Sequence, residues 1–149
     1  MSDFTLPEDK AGRLERCALF YSDIVPHNQA LGLKLLDIGD AEATVELPYA
    51  DFLVGNPETG VIAGGAVTTL IDAACGSAVI LKLNRIQPLV TLDLRIDYLR
   101  PARPHVPLIA VAECYRSTRQ IAFVRALVHQ GDKSNPVASA QGTFMRLEE

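Results

Sequence analysis

One apolar helix constrains the fold of this chain more than any other feature of the sequence. Five apolar residues recur at helical spacing and predict a buried helix over residues 65–83: Val67, Leu70, Ala74, Ala78 and Leu81. Because apolar residues lie on most sides of this helix, a sheet must wrap around it. The same helix carries the carboxylate of Asp72, and it offers no Lys or Arg before Lys82.

Segments with strand patterns precede and follow this helix in the sequence. Residues 33–48 are predicted to form two short strands around a turn at Gly39-Asp40, and residues 50–62 a loop. Four strands are expected after the helix, at residues 90–98, 106–116, 120–130 and 136–146. In the first of these, alternation with polar residues predicts one buried face made of Val90, Leu92, Leu94, Ile96 and Tyr98.

This order of elements indicates an α+β chain with a single domain. A short amphipathic helix is predicted over residues 8–21, within an N-terminal helical segment, 1–28. Strands joined by short turns pair in an antiparallel manner. We therefore predict a hotdog fold over residues 1–149, in which a curved antiparallel sheet wraps around one long central helix.

Composition and charge limit the binding partners and the cellular location that we expect for this protein. A net charge of −4 without a basic block argues against nucleic acid and against an anionic membrane surface. The N-terminal residues contain no apolar signal region, and no segment is expected to be long enough to span a membrane, so a cytoplasmic protein is predicted. Cys17, Cys75 and Cys114 are scattered and are expected to be buried free thiols. No histidine has a Cys or Asp at ligand spacing, so no metal site is predicted.

Asp72 is predicted to lie on a face of small residues. At 100° per residue, Gly65, Thr68 and Gly76 fall within roughly 40° of its direction, whereas Leu70 and Ala74 point the opposite way. Small residues beside an acid let a ligand or another backbone approach closely. Such a wall is typical of a binding site.

Gly64-Gly65 stands at the predicted start of the helix. The first N–H groups of a helix lack partners and carry partial positive charge, and the missing Cβ atoms let a ligand oxygen reach them. We expect these donors and Asp72 to lie in one neighbourhood, as a base or nucleophile beside an oxyanion hole for acyl transfer. The structural alternative is that Asp72 bonds a Thr or an Arg and that Gly-Gly only lets the chain turn.

The segment NPETGVIAGGAVTTLIDAACG resembles the signature of hotdog-fold acyl-CoA thioesterases of the phenylacetyl-CoA thioesterase-like group, related to 4-hydroxybenzoyl-CoA thioesterases. Members read Asn-Pro, then His-Gly-Gly, then an acid eight residues after the first Gly, as Gly64 and Asp72 are spaced here. The segment PLVTLDLRIDYLRPA, residues 88–102, is similar to the strand that follows in the family. The resemblance covers roughly residues 30–147.

The resemblance implies the roles of the site residues. Asp72 would be the general base or nucleophile, the Gly64 N–H would polarise the thioester carbonyl, and Asn56 would help to place the carbonyl or the water. Thr91 matches a hydroxyl position that orients water in some members, and Asn28 is expected to line the pocket. The family site forms between two subunits, which implies a homodimer, often a dimer of dimers. The substrate would be an aromatic or a short- or medium-chain acyl-CoA, with no cofactor.

The chain departs from the family at Ala63, which stands where members have His. The N–H donors survive this change, but a side-chain contact to the substrate does not. Ala63, Gly65 and Thr68 are nevertheless expected to border the substrate, and Arg100 and Arg119, at strand ends or turns, to bind CoA phosphates. The alternatives are a protein that binds acyl-CoA without cleaving it, a hydratase or dehydratase, which would need the missing His, and a purely structural dimer.

Overall fold

The computed structural model describes residues 5–147. The outermost residues of the expected domain 1–149 and segment 1–28, namely 1–4 and 148–149, lie outside the described residues. The helices are α1 (Lys10–Leu19), α2 (Pro26–Leu31) and α3 (Gly64–Leu83), and a π-helical turn at Phe20–Ile24 follows α1. The strands are β1 (Lys34–Ile38), β2 (Glu42–Leu47), β3 (Val54–Asn56), β4 (Val61–Ile62), β5 (Leu89–Tyr98), β6 (Leu108–Ser117), β7 (Ile121–His129) and β8 (Ala138–Arg146).

Six strands form one antiparallel sheet in the order β1-β2-β6-β7-β8-β5. Helix α3 packs against β2, β6 and β7, and its buried residues include Leu70, Ile71 and Leu81. The apolar periodicity of α3 thus produces the predicted architecture, a curved sheet around one central helix, and the hotdog prediction is confirmed.

Helix α3 corrects the expectation about membrane-length segments. Its 20 residues and a mean hydropathy of 1.6 make it long and apolar enough to cross a membrane. In the fold, 61% of its most apolar window is buried inside the domain, because the sheet covers it. Burial by the sheet therefore identifies α3 as a core helix.

The N-terminal segment is more divided than its amphipathic pattern predicts. Asp9 caps α1 by accepting a hydrogen bond from Gly12 N–H, and the helix then loosens into the π-helical turn. Val25 is extended because Pro26 follows it, and Pro26 begins the unpredicted helix α2. This helix ends at Gly32, whose φ of 71° is the left-handed conformation that favours glycine.

Residues 50–62 are not simply a loop. A 3₁₀ turn at Asp51–Leu53 leads into a two-stranded hairpin of β3 and β4, in which Val54 pairs with Ile62. Strand β3 passes so close to the start of α3 that a Cβ on Gly55 would lie 2.8 Å from Ala63 Cα. The hairpin is too short to give a period-two signal, so the sequence pattern missed it.

Strand β5 is continuous, as predicted, but its alternation changes phase. The register with β8 shifts between Thr91 and Asp93, so that Leu92 is an extra, bulged residue. Val90, Leu92 and Tyr98 are 40%, 52% and 52% exposed instead of buried. Leu89 packs on the core before the bulge, and Leu94 and Ile96 do so after it.

Candidate active site

The start of α3 presents backbone donors. The first N–H groups of any α-helix have no acceptor within the helix. Here the N-cap residue is Ala63, whose side chain makes no capping hydrogen bond to them. Gly64 and Gly65 are both exposed, and a Cβ added to Gly65 would meet no atom of this chain within 4 Å. The helix start is therefore open to a ligand or to another chain.

Tyr98, at the end of β5, holds this helix start in place. Its hydroxyl donates to the Gly64 carbonyl at 2.9 Å and lies 3.3 Å from Thr68 Oγ1. The Thr68 hydroxyl also reaches the Gly64 carbonyl, at 3.1 Å. The alternation of β5 predicts Tyr98 only as part of an apolar face, because its role depends on a contact between β5 and α3 that alternation does not reveal.

Asn56 lies at the end of β3, which the hairpin places beside the helix start. Its side-chain Oδ1 accepts the N–H of Glu58 at 3.0 Å, and its backbone carbonyl accepts that of Gly60 at 2.8 Å. The side-chain oxygen thus stabilises the turn, while the amide NH₂ is the group left to contact a ligand. Asn56, Ala63 and Gly64 therefore form one end of the candidate site.

Asp72 forms the other end, together with Thr91. Thr91 Oγ1 donates to Asp72 Oδ1 at 2.7 Å, which joins α3 to β5. A carboxylate with one oxygen held by a hydroxyl keeps its second oxygen and its remaining lone pairs for a water or a carbonyl carbon. A bond from Asp72 to a Thr is what the structural alternative expected, whereas the resemblance gave Thr91 as a hydroxyl that orients water in some members; that role stays a prediction.

A cavity of about 770 Å³ opens beside Asp72. Three of the expected substrate contacts line it, namely Thr68, Thr91 and Asn28. Apolar residues form much of the remaining wall: Phe20, Val25, Ile80, Pro88, Leu89, Leu94 and Phe144. A mostly apolar cavity with one carboxylate on its wall suits a ligand that has an apolar tail and one reactive polar group.

The inner wall of the cavity contains a buried polar pair. Tyr21 donates to the Ala73 carbonyl at 3.0 Å and shares a 2.6 Å bond with Ser77 Oγ. Burial raises the pKa of Tyr21 well above its ordinary value, and the negative charge of Asp72 adds a smaller contribution in the same direction. Tyr21 therefore remains a neutral hydroxyl that anchors the π-helical turn to α3.

The cysteines are free and buried, as expected. Burial raises the pKa of Cys17 to about 11, and it also raises the pKa of Cys75, which lies near Asp72. Because the thiolate is the nucleophilic form of cysteine, these groups are inert at neutral pH. Asp72 is thus the better candidate for the reactive group of this helix.

His27 also lines the cavity, although its sequence context did not predict a place in the site. Its Nε2 lies 3.2 Å from Thr69 Oγ1, and that hydroxyl donates its own proton to the Gly65 carbonyl. Asn28, next in the chain, donates to the Phe20 carbonyl at 3.1 Å and thereby closes the π-helical turn. The only sequence signal was the position of His27 before the family-like stretch ALGLKLL.

Neither of the two arginines expected to bind CoA phosphates lines this cavity. Arg100 bonds the Asn135 carbonyl through Nη2 at 3.0 Å, and it lines a separate cavity of about 250 Å³. Arg119 lies in the turn between β6 and β7. Among residues 5–147, no three His, Cys, Asp or Glu side chains are grouped to hold a metal ion.

The two ends of the site are farther apart than sequence analysis expected. Gly64 and Asp72 are eight residues apart on one continuous helix, which at 1.5 Å per residue separates them by about 12 Å along its axis. A single carbonyl group cannot contact both. The expectation that the donors and the acid of one chain share a neighbourhood is therefore wrong.

Comparisons with known proteins agree with this architecture. A family model described as the thioesterase superfamily matches residues 59–137, which span the β3–β4 turn, α3 and the strands β5 to β7. The medium/long-chain acyl-CoA thioesterase YigI of Salmonella typhimurium is 29% identical over 134 residues, covering 81% of this chain and 85% of that protein.

Solved structures are similar over most of the chain. A crystal structure of a Pseudomonas aeruginosa protein is 43% identical, with a TM-score of 0.81, and the match covers 90% of this chain and 98% of that one. A mutant of the phenylacetic acid degradation protein PaaI from Thermus thermophilus is 30% identical, with a TM-score of 0.71, and the match covers 82% of this chain and 99% of that one.

Proposed function

Since this chain belongs to the thioesterase superfamily and is an enzyme of that class, we propose that it hydrolyses a medium-chain acyl-CoA to the free acid and CoA at Asp72. The observation that carries the proposal is the position of Asp72 as the one carboxylate, among the described residues, on the wall of a mostly apolar cavity, on a helix whose start at Gly64-Gly65 is open. The YigI relatives, which are named medium/long-chain acyl-CoA thioesterases, support the same chemistry.

The proposed reaction uses a carboxylate and a backbone donor. Asp72 takes a proton from a water whose oxygen attacks the thioester carbonyl carbon, or Asp72 attacks that carbon directly and water releases the acid afterwards. The Gly64 N–H stabilises the developing oxyanion, and the carbon–sulfur bond breaks to release CoA thiolate, which takes up a proton. Asn56 helps to orient the carbonyl. The chemistry requires no cofactor.

The cavity supports an acyl group of medium length. From Asp72 to Ile80 the apolar wall follows α3 for eight residues, or about 12 Å. An extended chain advances about 1.2 Å per single bond, so roughly ten bonds fit along this wall. Aromatic and short acyl groups, which the sequence also suggested, would fill less of it.

A homodimer is part of the proposal, because one chain separates Gly64 from Asp72. Strand β5 lies at the edge of the sheet with ten residues, and such an edge is a template for pairing with another strand. Val90, Leu92 and Leu99 expose apolar surface there. Pairing of β5 with β5 of a second copy would cover it.

Twofold symmetry would complete the site. Thr68 lies midway between Gly64 and Asp72 on α3, and it is exposed. In a twofold dimer a contact from one residue to another is repeated in reverse. An axis that passes near Thr68, between antiparallel helices, would therefore set Gly64 of the partner subunit against Asp72. Two sites would result, each with an acid from one chain and a donor from the other.

The experiment is thiol release from a panel of short-, medium- and long-chain and aromatic acyl-CoAs. Wild type should be most active on medium chains, and Asp72→Asn should lose at least about 100-fold in turnover, the scale of a general base. Asp40→Asn, in the exposed β1–β2 turn, is the matched control and should behave as wild type. Equal turnover by wild type and Asp72→Asn would refute the role of Asp72.

The panel also tests the non-catalytic alternative. If wild type binds acyl-CoA but releases no thiol from any member, the protein is a binding module and the proposal fails. Ala63→His would then show whether restoring the family side chain at the N-cap of α3 restores turnover.

A further inference from the structure

The bulge in β5 decides which side chains reach helix α3. Before it, Leu89 and Thr91 face inward, and after it Leu94, Ile96 and Tyr98 do so. In a regular strand Thr91 and Tyr98 would face opposite sides of the sheet, because their numbers differ by seven and the side-chain period is two. The extra residue Leu92 therefore allows one strand to contact both Asp72 and the Gly64 carbonyl.

The bulge depends on a glycine in the neighbouring strand. Gly142 of β8 pairs with Leu94, just after the bulge, and it is buried on the inner face of the sheet. A Cβ at Gly142 would lie 2.6 Å from the Asp93 carbonyl oxygen and 3.0 Å from Leu94 Cδ1. The nearer atom is backbone, so a side chain could be accommodated only if β5 and β8 moved apart.

Strand β5 is the element that would move. Within one chain it is paired only with β8 among the described residues, and in the proposed dimer its other edge would pair with the β5 of a second copy, whereas α3 is packed against the inner strands β2, β6 and β7. Displacement of β5 would carry Thr91 away from Asp72 while the helix stays in place. A shift of about 1 Å would move the two oxygens of this 2.7 Å hydrogen bond beyond hydrogen-bonding distance.

We infer that Gly142 is a positioning residue for thioester hydrolysis: its missing side chain lets the β5 bulge form, and the bulge aims the Thr91 hydroxyl at Asp72. The inference rests on the proposed function. Gly142 acts through Thr91 and has no direct role at the substrate.

The first test is Gly142→Ala in the full chain, assayed by steady-state thiol release. We expect turnover to fall about 10- to 100-fold, as for a misplacement of about 1 Å, with KM little changed because the apolar cavity wall is kept. Gly39→Ala is the matched control, since its Cβ would meet only Glu42 Cβ, at 3.4 Å, in a remote turn. It should have wild-type turnover.

The second test is a double-mutant cycle with Thr91→Val. If Gly142 acts only through Thr91, adding Gly142→Ala to Thr91→Val should cause no further loss of turnover. Fully multiplicative losses, or wild-type turnover in Gly142→Ala, would overturn the inference. Wild-type turnover in Gly142→Ala, combined with loss in Asp72→Asn, would overturn it while leaving the proposed function intact.

Deletion of Leu92 keeps the inference testable if Gly142→Ala does not fold. The deletion makes β5 a regular strand in which Thr91, Leu94, Ile96 and Tyr98 share one face. It removes the close approach to Gly142 but shifts Thr91 along the strand by as much as one residue, about 3.3 Å. We expect this variant to fold, to remain a dimer by light scattering, to accept Gly142→Ala, and to have reduced turnover. Wild-type turnover without Leu92 would overturn the inference.

Discussion

At the scale of single residues, the start of α3 offers backbone N–H groups but no polar side chain. Ala63 makes no capping bond, so whatever catalysis this position supports comes from N–H groups. Its φ of −61° and ψ of 139° are values that a residue preceding proline adopts readily. Gly64 is the first residue of the helix, where proline is tolerated. The Gly64 N–H can therefore be removed without breaking the helix.

We predict that Gly64→Pro loses about 10²- to 10³-fold in turnover, the cost of one oxyanion donor. Gly64→Ala retains the N–H and places a Cβ at the same position, 3.3 Å from the movable Tyr98 hydroxyl. It should lose far less. Thiol release by both variants, with circular dichroism to verify the fold, makes the comparison. Equal losses would assign the effect to crowding of Tyr98.

At the scale of elements, β5 carries three functions that a short regular strand would not combine. It holds Asp72 through Thr91, anchors the helix start through Tyr98, and presents an apolar edge. The bulge makes this possible because it changes the inward-facing set of residues halfway along the strand. Leu92 is the residue freed by the bulge, and it is 52% exposed.

We predict that Leu92→Lys converts a dimer into monomers. The lysine places a charge on the edge that the second β5 would cover, while it leaves the core of the chain untouched. Light scattering after size exclusion measures the mass, and turnover should fall with the monomer fraction. Leu127→Lys on the outer face of β7, where Leu127 is 40% exposed, should keep the dimer. A Leu92→Lys protein that remains dimeric would place the interface elsewhere.

At the scale of the whole molecule, one chain holds both ends of a site that it cannot use together. The straight path of α3 separates Gly64 from Asp72 by about 12 Å, a distance that no rotamer closes. A shared site makes activity a property of the dimer. Variants in different chains should then complement each other.

We predict that mixing Asp72→Asn and Gly64→Pro chains restores turnover. A heterodimer has one intact site, composed of Asp72 from one chain and Gly64 from the other. Random exchange makes about half of the dimers mixed, so about one quarter of wild-type turnover should return. Chains refolded separately and then combined without exchange are the control. No recovery after verified exchange would place both residues of a working site in one chain.

Local patterns in the sequence predicted much of the fold and part of the site. The period of α3, the Gly39-Asp40 hairpin and the four later strands were all predicted, because helical and strand periodicities depend on near neighbours in the chain. The spacing of Gly64 and Asp72 was equally visible in the sequence. Its meaning was not, because a spacing does not reveal that a straight helix holds the two residues apart.

The tertiary structure decided what lies between elements. The bulge at Leu92 depends on how β5 meets Gly142 of β8, so period two assigned Val90 and Leu92 to the wrong face. Tyr98 and His27 reach the site only because β5 and α2 pack beside α3. Sequence periodicity therefore determined which elements form, whereas contacts between residues distant in the chain determined which side chains meet at Asp72.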